Sequence, residues 1–376
     1  MARVAYEISK CLVSQGHQVT VYTTNLFNDH SLVTNRLVNL EGMKVYYFEN
    51  LIKYFPKSKA PAPPVPYYLP FIARKKVNEF DIIHIHGYRS LSAATIHHYA
   101  KKYDVPYILQ AHGSVETYFQ KGMMKRVFDR IWGYRIMKDA AKAIALTETE
   151  NGQYRRMGVS QDKIEIVPNG IDVSEFENLQ GRGEFRKKYG FNDNQKIILF
   201  LGRINKIKGL DLLANTFASL NRELSNVRLV IVGPDDGYLA ALKQLIKELN
   251  IEEKVLFTGP LYGEQKLEAY VDADVYVLPS IYETFPVTVL EACACGTPVI
   301  VTDRCGMADI INNQVGIVVP YDTQQLQDAI RHMLSDGKIR QAFAEHGKSL
   351  VRKQFTWPKI VERIESIYYS CLSPAA

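Results

Sequence analysis

No apolar run in the 376-residue chain approaches the ~18–20 residues of a membrane span; the longest, such as Ile197 to Leu201, suit buried strands. The start, MARVAYEISKCLVSQGHQV, is amphipathic and carries acid, which excludes a secretory signal. Cysteine is scarce: five residues, scattered, with Cys293-x-Cys295 at neither metal nor redox spacing. They read as reduced core thiols of a cytosolic protein. No His/Cys/Asp cluster has the spacing of a metal site, and no Asp-x-Asp pair to hold a divalent ion is expected to occur. No Gly-x4-Gly-Lys-Ser/Thr occurs, so this is not a P-loop NTPase. No Gly-x-Gly-x-x-Gly follows a strand, which makes a nicotinamide oxidoreductase a poor reading. The formal charge of +6 is mild. It suits an anionic ligand, an anionic membrane surface or neither, and no nucleic-acid partner is expected.

What is present is an ordinary globular composition, 47% hydrophobic and 23% charged, long enough for two domains. Apolar runs alternate with segments of helical period. Strands are expected at 18–23, 44–48, 81–85, 107–111, 143–145 and 164–167, then at 197–201, 228–232, 255–258, 275–278, 298–301 and 316–318. That alternation predicts α/β architecture with parallel sheets covered on both faces. Thr147-x-x-Glu150 reads as a capping box. Asn169–Asp172 closes the first series and a polar stretch to Asn194 leads into the second. The expected divisions are therefore 1–172, 173–354 and a final helical segment, 355–376. Prolines 61, 63, 64, 66 and 70 exclude a regular element over 57–70, expected to be an acceptor-side loop.

The most informative stretch is PSIYETFPVTVLEACACGTP, Pro279 to Pro298. A buried strand precedes it, and Val287, Val289, Leu290, Ala292 and Cys293 continue at helical spacing, with Pro286 in a first-turn position. Strand, loop and helix N-terminus present free N–H groups and a positive dipole end to an anion. Glu283 in the loop and Glu291 in the helix bracket that end, and carboxylates accept from sugar hydroxyls. Earlier, Gly202-Arg203-Ile204-Asn205-Lys206-Ile207-Lys208-Gly209 follows another strand and projects two cations. Fixed cations stabilise charge that develops on a departing diphosphate. Two solvated glutamates or a solvated basic turn would be the ordinary reading of either motif alone; their pairing in one domain favours the functional one.

Glu-x7-Glu in this setting, followed by CGTPVIVTD, together with GR-x4-KG, resembles the retaining GT-B glycosyltransferases of family 4, and the resemblance covers nearly the whole chain. It implies two Rossmann-like domains facing across a cleft, the second binding a nucleotide diphosphate sugar (UDP-, GDP- or ADP-linked) as co-substrate. It implies no cofactor and no metal. By resemblance, Arg203 and Lys208 contact the phosphates, Glu283 the donor sugar and Glu291 the ribose. The N–H groups of Val287, Thr288 and Val289 face the diphosphate, and Phe285 belongs to the donor set. Leu261, after Gly259-Pro260, matches a base-contacting turn. His112, ending a strand in the first domain, matches a histidine over the transferred sugar; His86 is a weaker candidate. His84 is expected to be packed or paired, and His97 and His98 to face solvent. The final helix is expected to brace the first domain.

The family pattern also implies a strand and a Gly-rich turn before ARVAYEIS, and both are absent. A misplaced start is favoured over a shortened or truncated chain. Asp303–Met307 departs from the family's small residues, with Arg304 either at the donor or pointing outward. The segment 119–138 predicts a helix from Met123, with Met123, Val127, Ile131, Tyr134 and Met137 on one face and five cations elsewhere. A core-packed helix is favoured on frequency; attachment to an anionic leaflet is the alternative. The expected activity is sugar transfer to a lipid-linked or glycan hydroxyl, with retention, in the cytoplasm or peripherally on the inner membrane face. An inactive nucleotide-sugar-binding module and an epimerase-like enzyme are the alternatives.

Overall fold

The computed structural model describes residues 1–25, 34–51, 64–116 and 122–372. The chain forms two compact units, one from residues 1–169 together with 357–376 and one from Gly170–Thr356. The observed boundaries thus fall at 169 and 356, and the last described helix, Trp357–Leu372, belongs with the first unit.

In the first unit, β1 (Thr20–Thr24), β2 (Leu37–Leu40) and β3 (Met43–Phe48) form a small sheet in the order β1-β3-β2. β1 pairs β3 in parallel and β2 pairs β3 antiparallel. A second sheet, all parallel, runs β4 (Ile83–His86), β5 (Tyr107–Gln110), β6 (Lys142–Ala145), β7 (Ile164–Ile166) in chain order. The central strands β5 and β6 are buried on both faces because both are covered. Tyr107, Leu109, Ala143 and Ala145 join a core with helices Leu69–Lys76 and Leu91–Lys102. The alternating residues Ile108 and Ile144 face the other way, onto Val4, Ile8 and Leu12 of the Ala2–Ser14 helix and Ile360, Ile364 and Ile367 of the last helix. That period of two explains why the final helix is needed: without it, Ile108 and Ile144 would meet water.

The second unit is one six-stranded parallel sheet: β8 (Lys196–Leu201), β9 (Val227–Val232), β10 (Val255–Gly259), β11 (Val275–Leu278), β12 (Val299–Thr302) and β13 (Gly316–Val319). The spatial order is β10-β9-β8-β11-β12-β13. Strand order reverses between β8 and β11, and ligands of such sheets lie beyond the carboxyl ends at that switch point. The loops leaving β8 and β11 are those that carry Arg203 and Lys208, and Glu283.

Three expectations change. Residues 57–63 of the expected proline-rich loop lie outside the described residues, but Pro70 sits in the first turn of the Leu69–Lys76 helix, where a proline's missing N–H is tolerated. The 119–138 helix is interrupted by a π-turn at Asp129–Gly133, between Gly122–Phe128 and Tyr134–Asp139. Its predicted face is not core: Met123, Val127, Ile131 and Tyr134 are exposed, and only Met137 is buried. No helix among the described residues is long and apolar enough to cross a membrane.

Candidate active site

The turn after β8 is built for proximity to the loop after β11. Gly209 holds φ +67°, and a Cβ there would lie 1.8 Å from the Pro279 carbonyl oxygen. Only glycine allows the two loops to close in this way. Asn205 caps the short turn Lys206–Lys208, its side chain accepting from the Ile207 N–H at 3.1 Å. The Ile281 N–H donates to the Ile207 carbonyl, at 2.8 Å. Lys208 is thereby brought onto Glu283: its ammonium donates to Oε1, with both side chains about 85% covered. Ser280 Oγ donates to the same oxygen at 3.3 Å. Glu283 is fixed on its far side by the segment after β12, where its N–H donates to the Arg304 carbonyl (3.2 Å) and its carbonyl accepts from Gly306 (2.8 Å). The Arg304 guanidinium itself lies over the Tyr321 ring, 4.8 Å from the centroid.

Glu291 is equally well held. Lys266, on the Gly263–Asp272 helix, pairs with Oε1 at 2.8 Å, and Tyr270 donates its hydroxyl proton to Oε2 at 3.1 Å. Tyr276 of β11 lies beneath the helix Val287–Cys295 and donates within 2.8 Å of Thr288 Oγ1 and 3.1 Å of the Leu201 carbonyl. Burial pushes both tyrosine hydroxyls well above their ordinary range, so they remain proton donors. Lys266, Tyr270 and Tyr276 were not singled out in the sequence: a lysine on an amphipathic helix and tyrosines in buried elements carry no local signal. Arg203 is the most open of the set, with 66% of its side chain exposed, and pairs with Asp236 at 2.6 Å.

Two donor-side expectations are corrected in detail. The Val289 N–H donates to the Pro286 carbonyl at 3.1 Å, so only Val287 and Thr288 keep first-turn N–H groups with no helical carbonyl ahead of them. Phe285 is buried, its ring 6.1 Å from that of Phe355, so its side chain serves packing. Leu261 is half-buried just beyond β10.

One Asp-x-Asp spacing does occur, Asp272-Ala273-Asp274, but both carboxylates are buried and occupied. Asp272 accepts from the Gly183 and Arg186 N–H groups, and Asp274 from Arg182, Arg186, Lys196 and the Ile197 N–H. Among the described residues no cluster of three His, Cys, Asp or Glu side chains could hold a metal. The five cysteines are free; burial pushes the Cys293 and Cys305 thiols up to about 12.

His112 belongs to the first unit, just past β5. It adopts φ +54°, unusual for a residue with a Cβ. Its Nε2 lies 2.9 Å from Nδ1 of His86, the two rings stacked, and His84 stacks in turn on His86 while its Nδ1 meets the Tyr368 hydroxyl at 2.7 Å. Burial holds all three imidazoles below their ordinary range, His86 at about 4. Among the described residues the buried His112 Nδ1 has no hydrogen-bond partner. The loop is fastened by Glu150, whose carboxylate accepts from Gly113 and Leu146, and by Arg89, which donates to the Ser114 and Val115 carbonyls. The capping box is thus half made: Thr147 Oγ1 accepts from Glu150 N–H, while the Glu150 side chain turns to the His112 loop. His97 is not solvent-facing; it pairs with Asp139 at 2.9 Å, and His98 alone is exposed.

Residues 1–175 match the model of Glycosyltransferase Family 4, and residues 181–350 that of Glycosyl transferases group 1. The chain is 28% identical over 320 residues to the D-inositol 3-phosphate glycosyltransferase of Kineococcus radiotolerans, covering 79% of this chain and 73% of that protein. It is also 28% identical over 334 residues to the alpha-monoglucosyldiacylglycerol synthase of Streptococcus pneumoniae (86% and 72% covered). Among solved structures, Anabaena HepE in complex with UDP and glucose aligns at TM-score 0.71 and 18% identity, covering 88% and 87% of the two chains. With two glycosyltransferase family models spanning nearly its whole length, the chain belongs to the group 1 glycosyltransferases of GT-B fold.

Proposed function

We propose that the protein transfers a sugar, with retention, from a nucleotide diphosphate donor to a hydroxyl of a lipid-linked or glycan acceptor, without a metal ion. The observation that carries this reading is the meeting of Lys208 and Glu283 at the β8/β11 switch point, beside the first turn of helix Val287–Cys295. In this reading Lys208 and Arg203 face the diphosphate and supply the positive charge a metal would otherwise provide. The Val287 and Thr288 N–H groups add the helix dipole end. Glu283 accepts from donor-sugar hydroxyls, exchanging part of its Lys208 contact for them, and Glu291 accepts from the ribose. The departing phosphate helps deprotonate the acceptor hydroxyl on the same face. His112 is assigned to the transferred sugar: as a neutral, buried imidazole it donates or accepts one hydrogen bond without adding charge.

The lipid side of the acceptor class is supported by the outward apolar stripe Met123, Val127, Ile131 and Tyr134, set among Lys125, Arg126, Arg130, Arg135 and Lys138. Such a helix suits peripheral attachment to the anionic inner membrane face, and one relative carries the name of a glycolipid-forming enzyme.

The test is a thermal-shift panel of UDP-, GDP- and ADP-sugars, followed by donor hydrolysis and transfer assays. Arg203→Ala and Lys208→Ala are expected to lower turnover about 10²-fold or more. Glu283→Ala is expected to lose turnover while largely keeping donor binding. Wild-type protein that binds no nucleotide sugar, or binds one without ever cleaving it, would overturn the proposal.

A further inference from the structure

The apolar stripe borders a groove that the donor site does not use. Helices Leu69–Lys76 and Leu91–Lys102 and the π-interrupted segment Gly122–Asp139 enclose a cavity of about 680 Å³, a volume typical of single-ligand sites. Pro70, Leu91, Ile131 and Trp132 supply apolar surface, and Lys101 and Arg135 supply charge. Among the lining residues the one carboxylate, Asp139, is already paired with His97. Lys101 and Arg135 are exposed and make no ion pair among the described residues.

The surroundings point the same way. The three segments carry ten Lys and Arg (Arg74, Lys75, Lys76, Lys101, Lys102, Lys125, Arg126, Arg130, Arg135, Lys138) against two Asp, a balance of +8 in a chain whose total is +6. The rest of the chain is therefore net −2, and the excess positive charge is concentrated here. Large apolar side chains stand exposed on the same segments, Phe71 at 62% and Met123 at 77%. An apolar slot with two free cations fits a molecule with a phosphate at one end and methylenes at the other.

Resting on the membrane-attachment reading above, we propose that this groove seats one anionic phospholipid, its phosphate on Lys101 and Arg135 and its first acyl methylenes against Ile131, Trp132 and Leu91. The protein would then recognise a lipid molecule as well as a charged surface.

Trp132 is a built-in reporter. The chain has two tryptophans, and Trp357 is buried in the core of the first unit. The experiment titrates full-length protein with dihexanoyl-phosphatidylglycerol as monomers, and separately with phosphatidylcholine vesicles containing or lacking phosphatidylglycerol. The expected result is a saturable, one-to-one change in tryptophan emission with the monomeric anionic lipid, absent in Trp132→Phe. Lys101→Gln/Arg135→Gln should weaken it at least about tenfold for each cation removed. Dihexanoyl-phosphatidylcholine and inorganic phosphate should bind far more weakly. Binding to anionic vesicles with no response to monomeric lipid would overturn the groove proposal and leave surface attachment standing. No binding to either form would overturn both. Far-UV circular dichroism of the variants guards against misfolding, since all three positions are exposed.

Discussion

Lys266 and Glu291 allow a sharp test of how the Glu291 carboxylate is held. Each side chain is 12% exposed, and among the described residues Tyr270 supplies the only other hydrogen bond to the glutamate. Lys266→Met keeps the aliphatic stem and removes the charge, leaving a largely desolvated carboxylate with one hydroxyl donor. Breaking a buried pair from one side costs about 3–5 kcal/mol; partial solvation here lowers that to about 2–3 kcal/mol. Glu291→Gln should cost less, about 1 kcal/mol, because the Lys266 ammonium can swing toward water on its flexible stem. With both changes no buried charge is left unpaired. The double variant should therefore resemble Glu291→Gln, giving a coupling of about 2–3 kcal/mol in magnitude. Both tryptophans lie in the first unit, so the assay is calorimetry of the full chain, following the transition of the Gly170–Thr356 unit. For a unit of this size each kcal/mol moves the midpoint by about 2–4 °C, so Lys266→Met should lower it by about 4–12 °C. A coupling below about 0.5 kcal/mol would refute the reasoning: the ion pair would then be an incidental surface contact.

The remaining predictions concern the first unit's histidines and the loop junction of the second. The unfolded His86 protonates near 6.5 but the folded one only near 4, so between those values the unfolded chain binds more protons. Stability should fall as pH drops from about 6.5 toward 4, with a slope of at most about 1.4 kcal/mol per pH unit from this group. Glu150, raised by burial, acts in the opposite sense, so the informative quantity is the difference from His86→Gln. That variant should show a shallower loss by tryptophan fluorescence, and an unchanged slope would refute the assignment. Gly209→Ala places a Cβ against the Pro279 carbonyl at positive φ. It should destabilise the second unit by more than about 3 kcal/mol and weaken nucleotide binding; a melting midpoint within about 2 °C of wild type would count against it.

Much of the architecture is legible in the sequence because parallel strands buried on both faces write continuous apolar runs. β8, β9 and β11 are plain for that reason, and the site loops follow their ends. β2, Leu37–Leu40, was not: three of its four residues are exposed, so no apolar period marks it, and it exists by pairing with β3. The same holds for the site. Arg203, Lys208, Glu283 and Glu291 sit in recognisable spacings, whereas Lys266, Tyr270 and Asp236 matter through contacts that close only when distant segments fold together. Glu150 shows the limit most clearly. Its spacing from Thr147 suits a capping box, but the Gly113 N–H, 37 residues away, claims its carboxylate.

The 122–139 segment explains why periodicity alone inverted a helix. Read at 3.6 residues per turn, Met123, Val127, Ile131, Tyr134 and Met137 share one face. A π-turn at Asp129–Gly133 inserts an extra residue, and positions after it rotate by about one residue's angle relative to those before. Beyond the turn Met137 is buried with Ile136, while Met123, Val127 and Ile131, and Tyr134 just after the turn, are exposed. The cause is a buried ion pair: Asp129 accepts from Arg89 Nε at 2.9 Å and from Nη2 at 2.7 Å, and a Cβ at Gly133 would lie 2.5 Å from Asp129 Oδ1. Turning the carboxylate inward requires both the wider turn and the missing side chain. Arg89 also donates to the Ser114 and Val115 carbonyls, so the inward face of this cationic helix is fixed by a bond to the loop that holds His112. With the inner side at Asp129 and Gly133 committed to that ion pair, Met123, Val127, Ile131 and Tyr134 stand on the outer side. A helix that looks core-packed in sequence thereby becomes an exposed apolar surface.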